Sequence, residues 1–354
     1  VRQSRKLDHL KYSLALADGP GDSGFADISL IHNCLPDLAW NQIDISSSIA
    51  GIPLRHPLII NAITGGADDV AEINKSIAKF AHLTNTAMAV GSQYAALEYT
   101  DVKHSYKVVR ENNPHGTIFA NLGAYATPEE AQLAVEMIDA QGIQIHLNVA
   151  QEIVMKEGDR DFSGYLSNIS RIVDKVKVPV IVKEVGCGIA REQAMLLADT
   201  GIRAIDVGGT GGTNFIAIEA ARSQATINPD ILSWGIPTVI SAVETKSVLP
   251  TQVDMMVSGG VRSALDVVKS LALGGIATGM ATPIIRMLCE KDIDYAVKWF
   301  QNFLYEIQSY MLFLGASSIR TLAETPIVIT GHSKDWLTAR GIDITNYATY
   351  KKHG

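Results

Sequence analysis

The chain is 354 residues long, with 47% hydrophobic and 19% charged residues, a globular balance that excludes disorder as its ground state. Its net charge is −7 and its basic residues are dispersed, which excludes the electrostatic footprint of a nucleic-acid binder. The three cysteines, Cys34, Cys187 and Cys289, lack metal-ligand spacing, so they read as reduced thiols in a cytoplasmic protein rather than as a disulfide framework.

The first notable segment is RKLDHL (5–10), which gathers Arg5, Lys6 and His9 ahead of any recognisable strand or helix. A terminus is usually indifferent to such detail. No cleavable-looking signal is apparent there, and no run of 18 uninterrupted apolar residues follows anywhere.

From Pro57 onward short β-branched runs alternate with helical segments. PLIINAITGG (57–66) precedes a helix over about 68–83, AMAVGS (87–92) one over 104–111, and GTIFANLG (116–123) one over 127–142. In that third helix Thr127 is the cap, Pro128 suits the first turn, Glu130 completes a capping box and Gly142 is the expected end. IQIHLN (143–148) leads into an insertion and a helix over 162–176, PVIVKEV (179–185) into AREQAMLLADTG, and AIDVGG (204–209) is the sixth strand.

IPTVISAV (236–243) is ambiguous, but Pro237 followed by TVISAVETKSVL reads as a helix start. DMMVSGG (254–260) is then strand seven, SALDVVKSLALG (263–274) its helix with Ser263 and Asp266 as cap, and IATGMA (276–281) strand eight. Residues 295–315 interrupt an apolar stretch with Lys298, Gln301, Asn302, Glu306 and Gln308, the pattern of a packed amphipathic helix and not of a membrane span.

Eight strand and helix pairs predict an α/β fold of the TIM (β/α)8 type, with a doubly wound sheet as the alternative. The expected organisation is one domain over 1–354: an N-terminal extension over 1–56, the barrel with its last helix over 57–315, and a C-terminal extension over 316–354.

The carboxyl ends of barrel strands carry the active site. Here they read Thr64, Ser92, Asn121, His146 with Asn148, Lys183 with Glu184, GGTGGTN, SGGVR and GMA. Glycine-rich turns after strands seven and eight suit an anionic phosphate, with Arg262 adding a charged hydrogen bond. Lys183 stands in the apolar run VIVKEV, where an unpaired ammonium is costly, so it calls for an anionic or electron-rich partner such as the N1–C2=O edge of a flavin. HLNVAQE (146–152) is read as an extended segment ending in Gln151 and Glu152 at the mouth, where one carboxylate could bind Mg²⁺ together with water and phosphate oxygens.

These motifs resemble, in order and over nearly the whole chain, those of type II isopentenyl diphosphate isomerase. The matching stretches include RKLDH, HNCLPDL, INAITGG, VGSQ, ANLG, HLNVAQE with EGDRDF, VKEVGCG, DVGGTGGTNF, WGIPT, SGGVRSALDVVKSLALG and ARGID. The resemblance implies a homo-oligomeric barrel, tetramer or octamer, that holds FMN reduced by NADPH, requires Mg²⁺ and converts isopentenyl diphosphate to dimethylallyl diphosphate by a 1,3-proton shift. It places flavin contacts on Ala62, Ile63, Thr64, Ser92, Asn121, Lys183, Thr213, Gly259, Gly260, Arg262, Met280 and Ala281. It places substrate contacts on Arg5, Lys6, His9, His146, Asn148 and Gln151, and the metal on Glu152. On that reading the N-terminal cations fold over the diphosphate, and reduced flavin acts as acid and base while Gln151 orients substrate or relays a proton. Two departures are small: Ile63 stands where methionine is common in the family, and GMA replaces GLA.

Three alternatives are weighed. An FMN-dependent 2-hydroxy acid oxidase needs a His-Gly pair after strand six, where this chain has GGTGGTN. An inosine-monophosphate-dehydrogenase-like enzyme would use Cys187 as nucleophile, yet no histidine lies near it in sequence. A non-catalytic flavin-binding barrel would have no use for a diphosphate clamp.

Overall fold

The computed structural model describes residues 11–16, 21–62, 65–66 and 70–349. Ahead of the barrel come β1 (Ile28–Leu30) and the hairpin of β2 (Ser47–Ile49) with β3 (Ile52–Leu54). Eight further strands then close into a barrel: β4 (Leu58–Ile60), β5 (Ala87–Ala89), β6 (Ile118–Gly123), β7 (Gly142–Leu147), β8 (Val180–Glu184), β9 (Ala204–Asp206), β10 (Asp254–Ser258) and β11 (Ala277–Met280). Every neighbouring pair is parallel, and β11 pairs back onto β4, so no barrel edge is left open. These are the eight expected strands, and together with the helices around them they make a TIM barrel.

The helices form where their caps say they should. Thr127 accepts the N–H of Glu130, whose carboxylate accepts the N–H of Thr127, at the start of the helix Pro128–Met137. Ser263 and Asp266 make the same reciprocal box before Ala264–Ala272. The segment after Pro237 is the helix Thr238–Lys246, buried along nearly its whole length. The long helix Ile293–Leu314 lays Phe300, Phe303, Ile307 and Met311 against the barrel and stops at Gly315, which takes the left-handed conformation. Among the described residues no helix is long and apolar enough to cross a membrane.

Two local expectations are corrected. Gly142 does not end the preceding helix, which stops at Met137, with Asp139 taking the left-handed position. Gly142 opens β7, because a Cβ there would lie 2.9 Å from the Phe119 ring. The extended segment of HLNVAQE also ends sooner than expected, at Leu147, and Gln151 and Glu152 lie on a short helix, Val149–Val154.

The β2–β3 hairpin plugs the amino end of the barrel: Ile49, Ile52 and Leu54 pack with Phe119, Ile181, Ala204, Met256 and Ala277 in one apolar cluster. On the flank β1 pairs antiparallel with β12 (Ile327–Ile329), tying the first part of the chain to the last.

His56, just before β4, is almost fully buried against Phe300. It is held neutral: Leu58 N–H approaches Nδ1, Nε2 faces the Thr84 carbonyl at 3.3 Å, and burial pushes its pKa from 6.5 down to about 4. The unfolded chain takes up a proton at higher pH than the folded one, so this contribution to stability is intact above pH 6.5 and is lost as pH falls toward 4. Urea unfolding at pH 7 and pH 4 should show the wild type losing roughly 3 kcal/mol more than His56→Gln over that interval. Equal losses in the two proteins would place the acid sensitivity elsewhere.

Candidate active site

The apolar run of β8 carries Lys183 to the carboxyl end of the barrel, where its neighbours in register are His146 of β7 and Asp206 of β9. The ammonium is buried, and burial pushes its pKa down while Asp206 and then Glu184 push it back up. Lys183 Nζ donates to the backbone carbonyl of Glu184 at 2.8 Å rather than to its carboxylate. That carboxylate turns outward and accepts the N–H groups of Gly186, at 2.6 Å, and Cys187. Burial still pushes the Glu184 carboxyl up to about 7.

Two cavities meet at Lys183. The first, of about 280 Å³, is walled by the loops after β9, β10 and β11. Its walls are backbone: Gly259 and Gly260 sit at φ +109 and +71, and a Cβ on Gly212 would lie 2.6 Å from the N of Gly260. Ala62, Thr213, Gly259, Gly260, Arg262, Met280 and Ala281 all line it. The nine-residue helix Thr282–Glu290 begins at this cavity with no side-chain cap, and Arg286 lines the same wall. An uncapped helix start beside cations is suited to an anion.

Arg262 also joins two of the loops that wall this cavity. Its guanidinium donates to the carbonyls of Gly260 and Gly211, both at 2.7 Å, and so staples the loop after β10 to the loop after β9. The N–H groups of Arg262 and Ser263 go to the Asp266 carboxylate.

The second cavity, of about 110 Å³, is polar and shares Ala62, Lys183, Val185 and Phe215 with the first. Ser92, Asn121, His146, Asn148, Gln151 and Glu152 line it. Asn121 Nδ2 donates to the Val90 carbonyl, so its Oδ1 is the acceptor and His146 Nδ1, at 2.9 Å, carries the proton. Asn148 Nδ2 donates to Glu152 Oε1 at 2.8 Å, and Asp159 N–H reaches Glu152 Oε2 at 3.0 Å. Arg160 ties the loop beneath by donating to the carbonyls of Glu152 and Met155. Ile63, Thr64, Arg5, Lys6 and His9 lie outside the described residues.

Several residues at the site were not singled out from sequence. Glu219, fully buried on the helix Phe215–Ser223, accepts Gln151 Nε2 at 3.0 Å and Arg222 Nε at 2.7 Å, and Arg222 continues to Glu157 at 2.6 Å. Asp206, also fully buried, accepts Ser258 Oγ at 2.6 Å and Asn61 Nδ2 at 2.8 Å. Asp206 did leave a signal, a carboxylate within the apolar strand run AIDV. Burial, and then the Glu184 charge, push the Cys187 thiol up to about 12, the direction of an unreactive thiol rather than of an activated nucleophile. Among the described residues no three His, Cys, Asp or Glu side chains converge as a metal cage.

A family model described as FMN-dependent dehydrogenase matches residues 129–329. The chain is 43% identical over 353 residues to a protein named isopentenyl-diphosphate delta-isomerase from Symbiobacterium thermophilum, covering 97% of each. It is 45% identical over 348 residues to one of the same name from Geobacillus sp. (strain WCH70), covering 98% of this chain and 99% of that one. Among solved structures it is similar to a lactate oxidase from Pediococcus acidilactici, with a TM-score of 0.68 at 17% identity, covering 92% of this chain and 87% of that one. A flavocytochrome b2 mutant with pyruvate bound gives 0.69 at 17% identity, covering 98% and 88%. At those identities the solved structures speak for the fold alone.

Glu219→Ala leaves Gln151 without its acceptor and Arg222 with Glu157 only. Because the removed carboxylate is the buried member of the pair, urea denaturation should show a loss of roughly 1–3 kcal/mol. Adding Arg222→Leu should recover part of it. A single variant as stable as the wild type would show that the chain of contacts carries no energy.

Proposed function

The chain belongs to the isopentenyl-diphosphate delta-isomerase family, and on that premise we propose that its two joined cavities hold FMN and isopentenyl diphosphate, which it converts to dimethylallyl diphosphate with Mg²⁺. The single observation that carries the reading is the position of Lys183, a buried cation at the wall shared by a glycine-lined anion cavity and a polar cavity containing Gln151 and Glu152.

The residues fit both groups. The FMN phosphate has the glycines after β10 and the uncapped helix start at Ala281 to receive it, with Arg286 close by and Arg262 holding the loops in shape. Ala62, Ile63, Thr64, Ser92, Asn121, Thr213 and Met280 surround the rest of the flavin in this reading, and Lys183 faces its N1–C2=O edge. Glu152 supplies one carboxylate, which fits Mg²⁺ because that ion keeps waters and substrate phosphate oxygens as its other ligands.

When bound and reduced, FMN supplies an acid and base at its ring and an electron-rich face beside a developing tertiary cation. The protein's own residues do the rest. His146, Asn148 and Gln151 position the substrate, and Gln151 is held by Glu219 at one end of its amide and by Asn148 at the other, which fixes its orientation for orienting substrate or relaying a proton. Arg5, Lys6 and His9 close over the diphosphate. Support for that role comes from the described residues that follow them: Arg286, in the anion cavity, donates to the Leu14 carbonyl, and Thr210 Oγ1 donates to the carbonyl of Asp22. The reading also takes NADPH as reductant, a homo-oligomer (tetramer or octamer) as the working state and the cytoplasm as the location. Against a 2-hydroxy acid oxidase, the loop after β9 reads VGGTGGTN and contains no histidine base.

The decisive experiment is to purify the protein, record its visible spectrum, reduce it and supply isopentenyl diphosphate with Mg²⁺. Yellow protein that turns over only when reduced is expected; a colourless protein that takes up no FMN would sink the reading. Glu152→Gln should retain FMN and lose most activity together with its magnesium dependence, and normal turnover at the same magnesium concentration would move the metal elsewhere. Replacing both Arg5 and Lys6 by alanine should leave the flavin spectrum unchanged. Each charge-assisted bond to a diphosphate contributes roughly 1.5–3 kcal/mol, so KM should rise about 10²–10⁴-fold. Equal KM values would mean that the barrel alone holds the diphosphate.

A further inference from the structure

We propose that Asp206 is a positioning residue for the flavin-facing lysine: a carboxylate fixed one strand away that keeps Lys183 an ammonium while leaving its N–H groups for the ligand. The inference rests on the flavin reading above.

Lys183 and Asp206 are partners in register on the parallel strands β8 and β9, so their side chains leave the barrel wall on the same side, from strands about 4.8 Å apart. At that spacing a carboxylate would ordinarily swing over and close an ion pair. Here it is restrained from the far side. Ser258 of β10 donates to Oδ1, and Asn61 at the end of β4 donates to Oδ2. Asn61 is itself held, because Gln144 of β7 donates to its Oδ1 at 3.2 Å. Burial pushes the Asp206 carboxyl up, and Lys183, ahead of these hydrogen bonds, pushes it back down; with donors on both oxygens, the carboxylate is the form they favour.

The consequence for Lys183 is specific. Its one recorded hydrogen bond goes to a neutral backbone carbonyl, and a contact pair with Asp206 does not form. The ammonium is therefore supported by a nearby fixed charge without being neutralised by contact. Burial alone drives a lysine toward the neutral amine, and Asp206 is the leading opposing influence, ahead of Glu184. The other groups around Lys183 are His146 from β7, Glu184 on its own strand, and Tyr125, Glu152, Arg262 and Arg286 lining the two cavities it borders. No other described acid combines full burial with register beside Lys183.

The test follows FMN affinity by quenching of its fluorescence from pH 7 to pH 9. In Asp206→Asn the fall in affinity that marks loss of the lysine's charge should come at lower pH than in the wild type, so that the variant binds FMN roughly tenfold or more weakly at the upper end of the range. The step should vanish when Lys183→Met is added and survive when Glu184→Gln is added. A profile in Asp206→Asn that matches the wild type, or a step that persists without Lys183, overturns the proposal. If Asp206→Asn fails to fold, the wild-type holoenzyme is read directly by NMR of lysine labelled with ¹³C at Cε, the Lys183 signal being assigned with Lys183→Arg. A Lys183 signal that is that of a charged lysine at pH 7 supports the proposal, and one that is that of a neutral amine overturns it. Failure of the wild type to bind FMN at all would defeat the functional reading instead, so the two failures are distinct.

Discussion

A single buried cation sets the terms for the mouth of this barrel. An ammonium taken out of water is destabilising by several kcal/mol unless charge and hydrogen bonds are arranged around it. Lys183 obtains these from a carbonyl and from two carboxylates, and each carboxylate then makes its own demands. Glu184 is satisfied by the N–H groups of the loop that follows it. Asp206 faces inward and draws in Ser258, Asn61 and, through Asn61, Gln144. Interior layers of such barrels are usually filled by branched apolar side chains. Here Asn61, Gln144, Asp206 and Ser258 make a hydrogen-bonded polar group in that interior, beside Lys183.

The apolar material is accordingly displaced outward and downward. Ile49, Ile52 and Leu54 of the hairpin seal the amino end, and the helix Ile293–Leu314 contributes Phe300, Phe303 and Met311 to the outer core. The mouth, by contrast, is walled by glycines whose missing side chains let one loop lie against another, as Gly212 does against Gly260. Stability and function occupy opposite ends of the same strands, so changes in the loops need not disturb the hairpin end.

Much of this was legible in the residues. Strands of three to six residues, buried along most of their length, left unbroken apolar runs, and Thr127 with Glu130 and Ser263 with Asp266 announced their helices. Lys183 was conspicuous because a charge in such a run needs a reason. Asp206 carried the same signature within the sixth strand, AIDVGG, where the glycines that follow it drew the attention instead. Glu219 left no signal: it sits on an ordinary helix, and its partner Gln151 lies 68 residues away. The turn of Asn148 into a six-residue helix was hidden because so short a segment shows no periodicity. Gly142 was misread since a glycine after a helical run suggests a cap, whereas here the packing of Phe119 requires it.

The pairing of β1 with β12 has a consequence in time. Its hydrogen bonds are reinforced by Thr330 Oγ1 reaching the carbonyl of Asp27, a contact across 303 residues of chain. On a ribosome the eight barrel strands can pair locally in order as they emerge, but the partner of β1 emerges only after all of them. The segment at 21–24 that touches the mouth through Thr210 is adjacent to β1. A nascent chain can thus close its barrel while β1 still lacks its partner, and the anchoring of the mouth's amino-terminal side comes after barrel closure.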